Sequence, residues 1–422
     1  MSQPILSIIP MHGAIAAQRS ITLDVLVKIT PPAVTALPDR PPLNLGFVLD
    51  RSGSMQGAKI DYARRAIAYG IEQLLPSDRL SLTLFDTHVQ TEIPSTLATD
   101  KQRLIDQVHR IRPGSSTALH GGWVNGGMQV SQYLNPAHLN RVILLSDGLA
   151  NVGETNPDAI AQDVHGLMQR GITTTALGVG TDYDENLLEA MARSGDGNFF
   201  HIESPDQLPA IFEAELQGLA TTLGHSVTLS LNPQAQGVIS DILNDLERTP
   251  EGALKLPNLT LGTPLYVALR LQIPALSMGT QVLQVQLRWQ TPDQAEPQQL
   301  EAGLYLPVVS PEQMSDFPAH GEVQEQVALL MAARARQEAV AFADVGDFGS
   351  AAASLRQTGE LLRAAPASAA IAAEGEALED LSTAFGTKGQ GMVARKRAKS
   401  EAYHLNRSRS SRHGQQPQDP IS

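Results

Sequence analysis

Residues 21–30, ITLDVLVKIT, put Ile21, Leu23, Val25, Val27 and Ile29 on one face, the period of a half-buried strand. A Pro-rich connector, PPAVTALPDRPP, then leads to LNLGFVLD at 43–50, a continuous apolar run of the kind buried on both faces of a parallel sheet. Similar runs follow at 80–85, 141–146, 172–179 and 198–202. The stretches between them, 57–75, 118–133, 156–170 and 184–193, read as helices, the third started by Asn156-Pro157. Strands alternating with helices at this spacing predict a doubly wound, mostly parallel α/β sheet.

Beyond residue 220 the period returns to two. Val227, Leu229 and Leu231 alternate, as do Leu265 to Ile273 and Leu283 to Trp289, which predicts an antiparallel, β-sandwich-like unit with one solvated face. Because 21–30 carries the same signature, that strand is expected to join this later unit, making the α/β region an insertion. Residues 319–363 turn helical and Ala-rich, with a turn at Gly346-Asp347, and predict a C-terminal helical hairpin used for packing or docking. The expected organisation is an N-terminal strand and linker (1–42), an α/β domain (43–218), an antiparallel β unit (219–310), a helical region (319–385) and a basic disordered tail (386–422).

Composition narrows the function. With 42% apolar and 18% charged residues, the 422-residue chain can bury full cores in two or three domains. The absence of cysteine excludes disulfides and thiolate zinc sites, and makes a reducing, cytoplasmic setting the expectation. The N-terminal segment has no basic start and Pro10 interrupts its apolar run, which argues against a secretory leader; no apolar stretch long enough to span a bilayer occurs. Net charge is −13, although residues 388–422 hold eight Lys/Arg against two Asp/Glu. Such an acidic body disfavours nucleic-acid binding as the main role, while the tail, with Arg395-Lys396-Arg397 and Lys399, is read as a solvated end able to contact an acidic surface. Asp78, Arg79 and Asp86, around the strand at 80–85, are read as surface or loop charges.

The chemistry concentrates in Asp50-Arg51-Ser52-Gly53-Ser54-Met55, between a buried strand and a helix. In open α/β sheets ligands bind at the carboxyl ends of the strands, and alternate residues of a tight loop can turn three oxygens toward one cation. Serine and aspartate after a strand also serve as turn formers and helix caps. The motif is similar to the metal-ion-dependent adhesion site of von Willebrand factor A domains, here of a bacterial, intracellular type. The resemblance extends over about residues 43–218. Thr117, in Arg112-Pro-Gly-Ser-Ser-Thr-Ala-Leu119, matches the family's threonine loop, and Asp147, in Ser146-Asp-Gly148, its third-loop aspartate.

That resemblance implies one divalent cation held by Asp50, Ser52, Ser54, Thr117 and Asp147, with the two serines bound directly and the others directly or through water. Mg²⁺ is expected, Mn²⁺ or Ca²⁺ being alternatives, since a hard ion seeking six oxygens suits this set. Two carboxylates and neutral hydroxyls leave room for an Asp or Glu from a protein partner. The implied role is an adaptor rather than an enzyme. Rival expectations are a substrate-delivery partner of a separate AAA+ ATPase and a hydrolase with an unrecognised site. No P-loop, no H-E-x-x-H and no complete dinucleotide fingerprint occurs. The resemblance also implies that the helix at 205–219 moves when the site is filled. The β-wrapped arrangement is similar to that of inter-alpha-trypsin inhibitor heavy chains.

Overall fold

A computed structural model describes residues 3–33, 41–291 and 296–408. In chain order the first strands are β1 (Ile5–Pro10), β2 (Ile15–Ala16) and β3 (Ile21–Thr30). The α/β region follows as β4 (Leu43–Asp50), α1 (Ala58–Gln73), β5 (Arg79–Phe85), β6 (Val89–Leu97), α2 (Lys101–His109), α3 (Leu119–Ser131), β7 (Leu139–Ser146), α4 (Pro157–Met168), β8 (Ile172–Val179), α5 (Glu185–Ser194), β9 (Phe199–Ile202) and α6 (Leu208–Ala220). Then come β10 (Thr222–Pro233), β11 (Val238–Ile242), β12 (Leu254–Lys255), β13 (Leu259–Thr260), β14 (Leu265–Ile273), β15 (Thr280–Gln290), β16 (Gln298–Leu306) and β17 (Val308–Val309). Four helices close the described chain: α7 (Gly321–Asp344), α8 (Phe348–Leu362), α9 (Ala369–Gly386) and α10 (Gly391–Asn406). The residues fall into two compact units, one comprising 41–221 and the other the flanking segments 3–33 and 222–408.

The unit at 41–221 holds a six-stranded sheet in the order β6-β5-β4-β7-β8-β9, parallel except for the antiparallel edge strand β6. An edge position suits β6, whose Pro94 has no N–H to give to a further neighbour. Every residue of β4 and β7 is buried, which is why both read as unbroken apolar runs. Leu43, Leu45, Phe47 and Leu49 of β4 face a core shared with Ile60, Ile67 and Ile71 of α1 and Phe212 and Leu216 of α6. The chain crosses to opposite sides of β4, toward β5 and toward β7, so the loops following β4 and β7 diverge at one crevice.

On the other face α3 packs closely because glycines line it. A Cβ added at Gly126 would lie 2.2 Å from Val48 Cγ2, and one at Gly122 would lie 2.5 Å from Phe85 Cδ1. Gly126→Ala should therefore destabilise the protein by about 1–3 kcal/mol despite alanine's better helix propensity. Gly166 of α4 has nothing within 4 Å of such a Cβ, and Gly166→Ala should stabilise by roughly 0.5–1 kcal/mol. Urea unfolding of the two variants checks the contrast.

The unit of flanking segments pairs β3 antiparallel with β14 from Ile21↔Ile273 to Ile29↔Leu265, in a sheet ordered β1-β3-β14-β11. A second sheet runs β12-β10-β15-β16 with β13 beside β10, and Val25, Val27, Val267 and Leu269 of the first share one core with Leu229, Val285 and Leu287 of the second. The short β2 and β17 pair in parallel.

The helical part goes beyond a hairpin. α7 and α8 meet at the turn at Gly346, whose φ of +78° suits glycine, and α9 and α10 complete a four-helix cluster. The expected disorder from residue 386 is overturned over Gly391–Asn406: Ala394, Ala398, Ala402 and Leu405 recur at helical spacing and are buried. Basic composition misled there because the charges are paired within the unit. Arg395, buried, donates from Nε to Asp344 Oδ1 at 2.6 Å, and Arg397 meets Glu401 at 2.8 Å, one turn on. Residues 409–422, the remainder of the expected tail, lie outside the described residues. Asp78 and Asp86 are likewise buried, contrary to their reading as surface charges. Asp78 accepts the backbone N–H of Leu43 at 2.8 Å and of Leu75 at 2.6 Å, tying the start of β4 to the turn before β5, while Arg79 lies over the Tyr133 ring.

Candidate metal centre

Asp50 is the last residue of β4 and fully buried. Its Oδ1 accepts the Ser52 N–H at 2.8 Å, and its Oδ2 accepts Ser146 Oγ–H at 2.6 Å. The first bond curls the loop so that Ser52 and Ser54 turn to the same side, their Oγ atoms 3.1 Å apart. Ser54 Oγ–H donates to Asp147 Oδ1 at 2.8 Å, joining the loop after β4 to the loop after β7. The other oxygen of Asp147, itself buried, accepts from Lys59 Nζ on the first turn of α1.

Thr117 arrives from the loop before α3. Its N–H donates to Asn151 Oδ1 at 2.9 Å and its carbonyl accepts the Asn151 N–H at 3.1 Å, so Asn151 clamps the threonine beside the Asp147 loop. The loops after β4 and before α3 are laced together by Gly53 N–H to Ser115 O at 2.8 Å and Gly114 N–H to Arg51 O at 2.5 Å. Beneath them sits Asp86. Its carbonyl accepts the Ala118 N–H at 2.8 Å, Arg51 Nε lies 3.0 Å from its Oδ2, and a Cβ at Gly114 would meet that oxygen at 2.1 Å. Gly114 is thus required by the close passage of its loop over a buried carboxylate.

Gly148 locates the point where the donors converge. A Cβ added there would lie 3.2 Å from Thr117 Oγ1, 3.7 Å from Ser54 Oγ and 3.8 Å from Asp50 Oδ2. Oxygens from two loops, that after β4 and that before α3, therefore face one small space beside the third loop, and a side chain at Gly148 would crowd it. Ser52 and Asp147 join this group through the bonds to Ser54, so the structure brings all five sequence-derived candidates together. Two carboxylates with three hydroxyls form a hard, all-oxygen donor set, which suits Mg²⁺, Mn²⁺ or Ca²⁺ and gives no advantage to soft-ligand metals. Among the described residues, no group of three or more His, Asp or Glu offers a different cluster suited to a metal.

The electrostatics fit a site short of positive charge. Burial pushes the Asp50 carboxyl up to about 6, and the Asp147 charge adds to the rise, while hydrogen bonds from Ser146 and Ser52 oppose it. From the sequence Asp86 reads only as a surface or loop charge, and Lys59, Asn151 and Ser146 are given no role at the site. Ser146 and Asn151 flank the aspartate motif closely enough to have been suspected, whereas Asp86 and Lys59 reach the site only through the fold.

A second polar centre lies away from the donors. Glu215 of α6 is buried and accepts from Arg141 of β7, from Thr175 Oγ1 of β8 at 2.6 Å and from Asn198 Nδ2 at 2.6 Å. These bonds pin α6 to the sheet.

Comparison with known proteins bears on the whole arrangement. The model of the von Willebrand factor type A domain matches residues 44–214. An uncharacterized protein of Synechocystis sp. is 27% identical over 78% of this chain and 79% of its own length. Inter-alpha-trypsin inhibitor heavy chain H4 of Homo sapiens is 30% identical over 37% of this chain, a match covering only 18% of the heavy chain. Two solved structures superpose on most of the chain at 16% identity, a likeness of fold: a von Willebrand factor type A protein from Catenulispora acidiphila (TM-score 0.66, 91% of this chain and 89% of that one) and the ArnB paralog VWA2 from Sulfolobus acidocaldarius (TM-score 0.62, 96% and 99%). The chain carries, over residues 44–214, a von Willebrand factor type A domain of Rossmann-like α/β fold.

Proposed function

We propose that Asp50, Ser52, Ser54, Thr117 and Asp147 hold one divalent cation, Mg²⁺ in the first instance, and that the loaded site takes an Asp or Glu carboxylate from a protein partner. The chain then acts as a cation-dependent adaptor. The observation that carries this reading is the convergence of Thr117, Ser54 and Asp50 oxygens around the Gly148 position. Domains of this type commonly serve as protein-interaction modules, and Leu149, next to Gly148, exposes 56% of its surface beside the site, where a partner's apolar flank can cover it.

Binding rather than turnover is favoured by the state of the two carboxylates. Asp50 spends one oxygen on Ser52 and the other on Ser146; Asp147 spends one on Ser54 and the other on Lys59. Each carboxylate is held by two donors in a fixed orientation, as a metal ligand needs to be. A cytoplasmic setting fits the absence of cysteine, and no helix among the described residues is long and apolar enough to cross a membrane.

Affinity capture from a lysate of the source cells, in Mg²⁺ and in chelator, tests the proposal. A partner retained by the wild type in Mg²⁺ should be lost in chelator and lost with Asp50→Ala. An identical captured set under all three conditions would contradict it.

A further inference from the structure

Lys59 has a place in this site that the ligand set alone does not explain. It stands on the first turn of α1, its ammonium bonded to Asp147 Oδ2, while Asp147 itself is fully buried. The slot for it is shaped: a Cβ at Gly180, just beyond β8, would lie 3.4 Å from Lys59 Cε and 3.5 Å from Nζ. Gly180 has a φ of +75°, so a bare Cα is suited both to the turn and to the lysine stem lying against it. The ammonium is therefore lodged between the end of β8 and the aspartate of the loop after β7.

Charge gives this arrangement its consequence. Asp50 and Asp147 bring two negative charges to a buried site, and Lys59 supplies one positive charge directly against Asp147. With Asp147 buried and Lys59 about a quarter exposed, charges at contact distance interact more strongly than a fully exposed pair would. A divalent cation taken up by the same aspartate must share it with, or displace, this resident ammonium.

Resting on the cation-site reading above, we propose that Lys59 is a built-in counter-ion that holds down the affinity of the site for a divalent cation and steadies Asp147 when no cation is bound. Lys59 is a positioning residue here, acting on the site through Asp147. With Lys59 in place the loaded site carries a net positive charge, which favours an anionic partner group as its remaining ligand.

Calorimetric titration with Mg²⁺ alone, on the full chain, tests this. Lys59→Met should bind Mg²⁺ at least about tenfold more tightly than the wild type, and Lys59→Arg, which keeps the charge, should stay within about threefold of it. In chelator the Met variant should melt at a lower temperature than the wild type, so that Mg²⁺ raises its Tm by more. Lys59→Gln, which keeps a donor for Asp147 without the charge, replaces the Met variant if that one does not fold. Wild-type binding with unchanged or weaker affinity in the uncharged variants would overturn the role of Lys59 and leave the cation site standing. No binding by any of these proteins would overturn the cation reading, and this inference with it.

Discussion

Replacing Arg336 with methionine should destabilise the helical part of the protein by about 3–5 kcal/mol, the cost of breaking a buried ion cluster from one side. Arg336 of α7 is completely buried. Its Nη1 bonds to Glu374 of α9, and its Nε donates to Glu401 Oε2 of α10 at 2.9 Å. One guanidinium thus ties three helices whose apolar contacts are largely alanine, including Ala332, Ala339, Ala394 and Ala398, and alanine buries little area per residue. Removing the cation takes a charged partner from each of two buried carboxylates. Urea unfolding should show the loss. The triple variant Arg336→Met with Glu374→Leu and Glu401→Leu should recover part of it, because apolar groups then replace the buried charges, while Arg397, partly exposed, loses a partner. A single variant as stable as the wild type would show that the cluster holds nothing together.

Asp50→Asn is expected to act in the opposite direction. In the cation-free protein burial raises this carboxyl to about 6 from 3.8, so the folded state disfavours the charged form. The sign follows from linkage: the penalty is absent below the unfolded value near 4, grows between about 4 and 6, and is complete above 6. Removing the charge should then stabilise the cation-free protein at pH 8 by on the order of 3 kcal/mol, with the gain vanishing near pH 4. Asparagine retains an oxygen for the Ser52 N–H and an amide opposite Ser146. Unfolding of both proteins in chelator at the two pH values reads the difference. A gain independent of pH, or a loss at pH 8, would show that the Asp50 charge is not under strain. Stability given up at a buried, charged residue is a pattern common at functional sites.

Much of this was legible because the relevant signals are local. β4 and β7 are buried on both faces and read as apolar runs, and the period-two face of β3 continues into its partner β14. The DRSGSM loop announces its chemistry because three oxygens sit on alternate residues, and Thr117 and Asp147 follow at loops adjoining their own helix and strand. What stayed hidden depends on distance along the chain. Asp86 looked like a loop charge, and nothing local shows that Gly114 will pass over it. Lys59 carries no local signal, since its partner lies 88 positions away. The same holds for α10: Arg395 and Glu401 are stabilised by Asp344 and Arg336, far upstream, so a segment judged by composition appears too polar to pack. β6 was missed for another reason, since an edge strand with polar residues and a proline has no strong period.

The Gly148 crevice is where the proposed cation would bind, and binding there can be counted. Calorimetric titration of the wild type with Mg²⁺ should give a single one-to-one binding event, and Asp50→Asn should weaken it by more than about 100-fold, beyond the loss that outer-sphere substitutions produce at metal sites. No binding by the wild type, or equal affinity in the variant, would contradict a cation held by Asp50, Ser52, Ser54, Thr117 and Asp147.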